Sequence, residues 1–288
     1  MMQRVRVVEN GDLGGGYLLL KLESPFGPEA VRPGQFVMLR APGRLDPLLP
    51  RAFALFDIRA GSNGGPATMD LFYHVIGKMT AIMADCEPGD ELELLGPLGN
   101  AFSLPRGLRR AVLVAGGVGL APMLLLAQDI RRANRGRKKE TAVEPLLIYG
   151  GRTHEQIVCR EEFEAEGCPV LVTTEDGSAG VRGMVTDALG ELLSARKGRV
   201  EDLVVYACGP EGMLRAVSEL TARHGVACQA SLEARMACGF GICLGCIVKV
   251  LGAKRGQPEA NGGRYERVCL EGPIFDAREV SWDESAHY

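Results

Sequence analysis

The spacing of apolar positions changes twice along the chain. In the first hundred or so residues they alternate with polar ones in short runs: Gln3–Glu9, Tyr17–Glu23, Phe36–Arg40, Phe53–Ile58, Asp70–Val75 and Glu91–Leu95. Alternation of this kind predicts strands with one buried face. Turn chemistry separates the runs, at Asn10-Gly11, Pro33-Gly34, Ala41-Pro42-Gly43, Asn63-Gly64-Gly65 and Pro88-Gly89-Asp90. Short strands so spaced predict a small barrel or sandwich, which Gly96-Pro97-Leu98-Gly99-Asn100 closes.

Near Arg109 the pattern becomes one of continuous apolar runs. Ala111–Ala115, Leu146–Tyr149, Val170–Thr174 and Leu203–Ala207 read as buried strands. Helical stretches lie between or after them, at Pro122–Ile130, Glu161–Glu166, Val185–Leu193 and Glu211–Arg223. Strands alternating with helices predict a parallel sheet covered on both faces. Right-handed crossovers then make it an α/β doubly wound domain of the nucleotide-binding type. From about Cys228 the chain is rich in Cys and Gly, with Gly252–Gly263 reading as an exposed loop. The expected units are residues 1–103, 104–227 and 228–288.

Composition adds little to this picture. Among 288 residues, 46% are hydrophobic and 24% charged, an ordinary balance for a soluble protein. A net charge of −3 gives no reason to expect nucleic acid or an anionic membrane as partner. The basic run Arg131–Lys139 reads as a solvated helix end. There is no signal-peptide pattern and no apolar run of membrane-spanning length, so the expected location is the cytoplasm, where thiols stay reduced.

Cysteine usage is more informative. Five of nine cysteines (Cys86, Cys159, Cys168, Cys208 and Cys228) are scattered, as small buried hydrophobes usually are. The other four form Cys238-x4-Cys243-x2-Cys246-x22-Cys269. The triplet has plant-type [2Fe–2S] spacing: one tight loop brings three thiolates to two irons, and a distant fourth closes the cage. Gly239, Gly241 and Gly245 let backbone N–H groups approach the sulfurs, and Arg235 offers positive charge nearby. Structural zinc is the competing reading, although its usual spacing is a pair of C-x2-C motifs.

The run Val112–Pro122 is strand, glycine turn, helix start. It places the amides of Gly116, Gly117, Val118 and Gly119 ahead of Pro122, a favourable seat for a pyrophosphate. The spacing is not that of a G-x-G-x-x-G fingerprint. A later buried strand ends in Cys208-Gly209-Pro210, which puts a second loop on the same sheet edge.

With β-strands, a GGVGLAP turn and a Cys-Gly-Pro strand end in this order, the chain resembles the ferredoxin–NADP reductase superfamily. Ser231–Cys246 and Val268–Phe275 are similar to the electron-transfer subunits of type B dihydroorotate dehydrogenase. The resemblance spans essentially the whole chain. It implies an antiparallel β-barrel with FAD, an NAD site on the α/β domain and a small C-terminal [2Fe-2S] domain with Cys238, Cys243, Cys246 and Cys269 as ligands. NAD contacts fall to the Gly116–Pro122 turn and to Cys208, Gly209 and Pro210.

Arg51-Ala52-Phe53-Ala54 stands at the family's Arg-Pro-x-Ser flavin motif, keeping the phosphate-clasping arginine and losing the hydroxyl. Tyr73, His74 and Val75 are expected along the flavin. Gly77, Lys78, Met79 and Thr80 are expected to offer amides to its diphosphate, with Met79 where glycine is more usual. The implied activity is a relay: a partner subunit oxidises dihydroorotate at FMN, and electrons pass through the cluster and FAD to NAD⁺. The implied assembly is a heterotetramer, two of each subunit. No catalytic acid or base is expected. Gly150–Thr153 has no acidic residue for a ribose hydroxyl, and Arg152 is the cation placed to read a 2′-phosphate; NAD is expected from the resemblance alone. The rival readings are the flavin subunit of a ferredoxin-dependent NAD(P) oxidoreductase or sulfide dehydrogenase, and a non-enzymatic zinc-binding interaction module.

Overall fold

The computed structural model describes residues 2–61, 64–195, 200–252 and 263–282. Asn63, most of the Gly252–Gly263 loop and His287 lie outside them. Seven strands form the first sheet: β1 (Gln3–Gly14), β2 (Tyr17–Ser24), β3 (Phe36–Arg40), β4 (Arg51–Ala54), β5 (Asp57–Arg59), β6 (Ala67–His74) and β7 (Glu91–Leu98). Helix α1 (Lys78–Ala84) lies between β6 and β7. The strand order is β4-β3-β7-β1-β2-β6-β5, with every pairing antiparallel.

The run expected as one strand, Phe53–Ile58, is two. β4 pairs with β3 and β5 with β6, so consecutive strands form opposite edges of the sheet. Leu55 and Phe56 make the crossing, and both are buried. The sheet therefore curls around a core that includes Val5, Leu20, Val37, Leu55, Met69 and Leu92. Helix α1 was not expected from the sequence. Met79 and Met83, one turn apart, anchor it to that core.

The second sheet contains β8 (Arg110–Gly116), β9 (Glu144–Gly151), β10 (Val170–Thr174), β11 (Val181–Arg182), β12 (Leu203–Cys208), β13 (Ala227–Ser231) and β16 (Ile274–Asp276). Its order is β11-β10-β9-β8-β12-β13-β16, parallel except at β16. Helices α2 (Ala121–Ala133), α3 (Arg160–Ala165), α4 (Val185–Ser194) and α5 (Glu211–Arg223) connect the parallel strands. Alternate residues serve the two faces. Ala111, Leu113 and Ala115 pack with Leu124 of α2 and Phe163 of α3. Val112 and Val114 pack with Leu189 of α4 and Val217 of α5.

The boundary expected between residues 227 and 228 falls inside β13, and the tail adds β16 to the same sheet. Ala-Cys-Gln-Ala-Ser has no β-branched residue, so propensity does not reveal this strand. Two more tail strands, β14 (Ile247–Val250) and β15 (Arg264–Arg267), pair as an antiparallel ribbon. Asn100 fastens the tail to the end of the first sheet. Its side-chain amide donates to the Glu271 and Ile274 carbonyls at 2.8 Å each, and its Oδ1 accepts from the Ile274 amide at 2.9 Å. Among the described residues, no helix is long and apolar enough to cross a membrane.

Candidate functional site

Two cavities and a cysteine loop line the junction of the sheets. The first cavity, about 240 Å³, has walls from three parts of the chain. Ala52, Phe53, Ala54, Phe72, Tyr73, His74 and Thr80 come from the first sheet and α1. Val118, Pro122 and Cys208 come from the parallel sheet's loops, and Ser231 to Ala234, Met236 and Pro273 from the tail. The sequence places these residues far apart, and the crossing of the two sheets brings them together.

Individual residues depart from expectation. Tyr73 borders the cavity, but it is buried and its hydroxyl bonds to Asn10 Oδ1 at 3.1 Å. Phe72, the preceding residue on that strand, also lines the cavity; it too is buried, and it stacks on Tyr17 with centroids 5.0 Å apart. His74 meets the edge of Tyr17 at 5.3 Å. Met79 is a core residue, and Val75 is exposed outside the cavity lining. Thr80 Oγ1 accepts from the Ile76 and Gly77 amides, each at 3.0 Å. The Gly77 amide is therefore already engaged. Lys78, Met79 and Thr80 supply the first three N–H groups of α1, which have no partner within the helix. Lys78 also bonds to Asp46 Oδ2 at 2.5 Å. Arg51 is exposed at the edge strand, with Nη1 donating to the Leu49 carbonyl at 2.8 Å.

The second cavity, about 510 Å³, opens at the C-terminal edge of the parallel sheet. Gly116, Gly117, Gly150, Gly151, Arg152, Thr173, Glu175, Pro210 and Met213 are among its lining residues, as is Tyr17. Gly117 takes φ +56°, a left-handed turn that glycine enters without steric cost. A Cβ on Gly119 would lie 2.1 Å from the Cys208 carbonyl oxygen, so the glycine turn and the Cys-Gly-Pro loop are in backbone contact. Gly209 takes φ +154°, and a Cβ there would lie 3.1 Å from the Gly116 carbonyl oxygen. Burial pushes the Cys208 thiol up, and it stays protonated at neutral pH. Glu233, beside it, keeps part of its surface in solvent, while burial against the cavity wall raises its carboxyl.

The cysteine loop packs on β3: a Cβ at Gly239, which has φ +80°, would sit 2.4 Å from Met38 Cγ. Cys238 pairs with Cys243, and Cys246 with Cys269, each at side-chain hydrogen-bonding range. Burial opposes ionisation of Cys238, but the amides of Cys243, Phe240 and Ile242 outweigh it and hold its thiol near about 6. Burial and the Cys246 side chain push Cys269 up to about 12, so it needs a cation to ionise. Among the described residues, no three His, Cys, Asp or Glu side chains surround a single metal-ion position. Two thiol pairs, one already supplied with amide donors, fit a binuclear cluster better than one tetrahedral ion. Arg267 fixes the loop from behind, with Nη1 on the Gly241 carbonyl at 2.9 Å and an ion pair with Glu271. Leu244 is left-handed at φ +58° between Cys243 and Gly245, a strained position of the kind found at ligand-holding loops. Arg235 is exposed, and no bond of its side chain to the loop is seen among the described residues.

Comparison with known proteins agrees with this layout. Residues 233–281 match the iron-sulfur cluster binding domain of dihydroorotate dehydrogenase B, and residues 113–219 match an oxidoreductase NAD-binding domain. The dihydroorotate dehydrogenase B (NAD(+)) electron transfer subunit of Caldanaerobacter subterraneus subsp. tengcongensis is 39% identical, covering 86% of each chain. That of Bacillus caldolyticus is also 39% identical, covering 91% of each. Among solved structures, a chain of NADH-dependent reduced ferredoxin-NADP oxidoreductase superposes with TM-score 0.78 at 28% identity, covering 98% of this chain and 93% of that one. A ferredoxin NADP+ reductase from Neisseria gonorrhoeae shares the fold, with TM-score 0.60 at 19% identity, covering 78% of this chain and 92% of that one.

Proposed function

Since the chain belongs to the family of dihydroorotate dehydrogenase B electron transfer subunits, we propose that it conducts electrons from dihydroorotate oxidation in a partner subunit to NAD⁺. The observation that carries this reading is the shared cavity wall. Val118, Pro122 and Cys208 of the nucleotide loops, Phe72 and His74 of the curled sheet, and the tail from Ser231 to Met236 all border one space. We read the curled sheet as the flavin-binding β-barrel and the parallel sheet as the doubly wound NAD domain.

In this reading a bound [2Fe-2S] cluster would supply one-electron carriage, FAD the pairing of electrons, and NAD⁺ the hydride acceptor. The chain's own residues position and insulate these groups. Arg51 and the first amides of α1 hold the FAD diphosphate, the guanidinium by charge-assisted bonds. Ala52, Phe53, Ala54 and Phe72 give the flavin ring an apolar wall. The Ala54 methyl leaves no hydroxyl beside the ring, and the polar side chains on this wall are those of His74 and Thr80. Gly116, Gly117, Val118, Gly119 and Pro210 hold the NAD diphosphate, and Cys208 stands as a neutral thiol between the two cavities. Cys238, Cys243, Cys246 and Cys269 would hold a [2Fe-2S] cluster.

The partner is an FMN-containing catalytic subunit, assembled two and two with this one in the cytoplasm. Phe240, Ile242, Leu244 and Leu270 form an exposed apolar rim around the exposed Cys243, which suits a docked subunit. All nine cysteines are free, as a reducing compartment requires. Likeness to the ferredoxin-NADP oxidoreductase chain over nearly the whole length favours a second reading, a subunit serving reduced ferredoxin. Co-expression with the FMN subunit separates them. Dihydroorotate-dependent NAD⁺ reduction by the purified complex, absent from either subunit alone, is the expected result. Zinc in place of iron and acid-labile sulfide, or a flavin- and iron-replete complex that ignores dihydroorotate, would refute the proposal.

A further inference from the structure

The β1–β2 hairpin turns on three consecutive glycines, Gly14, Gly15 and Gly16, all left-handed at φ +85°, +60° and +83°. The tip belongs to the first sheet, yet it rests on a loop of the parallel sheet. A Cβ on Gly15 would lie 2.1 Å from the Glu155 carbonyl oxygen and 3.1 Å from Gln156 Cα. A Cβ on Gly16 would lie 2.6 Å from His74 Nε2. Backbone without side chains is what fits there. The turn beneath the tip, His154–Gln156, is itself fixed. The Tyr149 hydroxyl donates to the Gln156 carbonyl at 2.9 Å, and Gln156 Oε1 accepts from the Arg152 amide at 2.8 Å. Arg152 and Gln156 both line the second cavity.

Tyr17 is the residue that follows the tip. It pairs with Gly14 across the hairpin and with His74 of β6. Its ring is held on two sides, stacked on Phe72 and meeting His74 edge-on. Although only 5% exposed, Tyr17 also lines the second cavity. Its hydroxyl lies 3.5 Å from where a Cβ on Gly117 would be, so it faces the glycine turn. A buried phenol ordinarily finds a hydrogen-bond partner. This one has none among the described residues. Burial raises the phenol and the Arg152 guanidinium pulls the other way, which leaves it protonated and a donor at neutral pH. A free donor, a guanidinium and the glycine turn thus border one space, and the group that satisfies all three is an anionic oxygen.

We propose that the β1–β2 hairpin is a strap laid by the flavin sheet across the dinucleotide site, and that the Tyr17 hydroxyl donates from it to the dinucleotide's diphosphate. The glycine tip sets the strap's height by backbone contact, and the Phe72 stack fixes the direction of the phenol. The diphosphate is then held from both sides, by the glycine turn of the parallel sheet and by a side chain of the other sheet. The proposal rests on reading this cavity as the dinucleotide site.

The test is calorimetry of the flavin-loaded protein with ADP, which carries both phosphates and one ribose, and with ADP-ribose. Tyr17→Phe keeps the ring and its stack and removes the hydroxyl alone. It should weaken both ligands by about tenfold, with flavin content unchanged. The KM for NADH in ferricyanide reduction should rise by a similar factor at nearly constant kcat, as expected of a contact made equally before and during hydride transfer. Gly15→Ala keeps the phenol but cannot seat the tip, and it should weaken both ligands too. Wild-type ADP affinity in Tyr17→Phe overturns the assignment, including the case where ADP-ribose alone is weakened, since the phenol then serves the second ribose. Wild-type affinities in Gly15→Ala overturn the strap. If the unmodified protein binds neither ligand while retaining its flavin, the cavity is not the dinucleotide site, and that reading fails together with the proposal.

Discussion

Asp70→Asn should stabilise the protein at neutral pH, and by an amount that depends on pH. Asp70 is in the middle of β6, directly opposite Asp57 of β5. Both carboxylates are buried. Asp57 is well supplied: it accepts from the Ile58 amide at 2.8 Å, from Arg59 Nε at 2.7 Å and from Gln128 of α2 at 2.9 Å. Asp70 has only Arg59 at 4.0 Å, and its Oδ1 has no partner among the described residues. Burial lifts its carboxyl to about 6 from an ordinary 3.8, against the pull of Lys21 and Arg59.

An acid whose folded value is raised stabilises the fold only in its protonated state. That contribution is complete below 3.8 and is lost as pH rises through about 6. At roughly 1.4 kcal/mol per pH unit, the ionised carboxylate costs about 3 kcal/mol above pH 6.5. Asn pays no such cost and can donate to Asp57. Urea unfolding followed by circular dichroism should show the variant more stable by about 3 kcal/mol near pH 7.5 and by about half that near pH 5. An equal loss of stability at both pH values would mean that Arg59 and Lys21 hold the carboxylate ionised in the fold, and the reasoning would be wrong.

Three further outcomes are expected. Cys269→Ser should abolish the visible absorbance and electron spin signal of the cluster; unchanged iron and sulfide content would remove Cys269 from the ligand set. Gly119→Ala forces a Cβ onto the Cys208 carbonyl at 2.1 Å, and NADH-dependent reduction of an artificial acceptor should fall by about 100-fold, since small misplacements at a reacting centre cost that much. Flavin and iron should stay bound, so a loss of all three would indicate misfolding instead. Arg51→Ala removes a charge-assisted contact, and FAD affinity measured by fluorescence should drop by about tenfold or more. Full flavin retention at low protein concentration would contradict the role given to this arginine.

Local patterns showed some features well. The four clustered cysteines, the glycine turn at Gly116–Gly119 and four of the five inner strands of the parallel sheet (β8, β9, β10 and β12) each have a short-range signature, in spacing, in glycine or in apolar runs. Features made by distant segments left no such signature. Phe72 and Tyr17 look like ordinary alternating strand residues until the sheet stacks them. Ala227–Ser231 is a strand only because β12 and β16 flank it. The amides of α1 were expected from the family motif, but the engagement of Gly77 by Thr80 depends on a helix start that residue type alone does not specify.

The attachment of β16 has a consequence for how the protein is made. A bare strand edge is a template for another chain, and β13 presents one until residues 274–276 arrive. Cys269 lies just before that strand, so the fourth cysteine of the tail and the strand that covers the sheet are placed by the same short segment. The seating of the Cys269 turn and the completion of the parallel sheet are thereby coupled. A chain in which that segment is not seated would present a bare edge at β13, open to aggregation or to proteases.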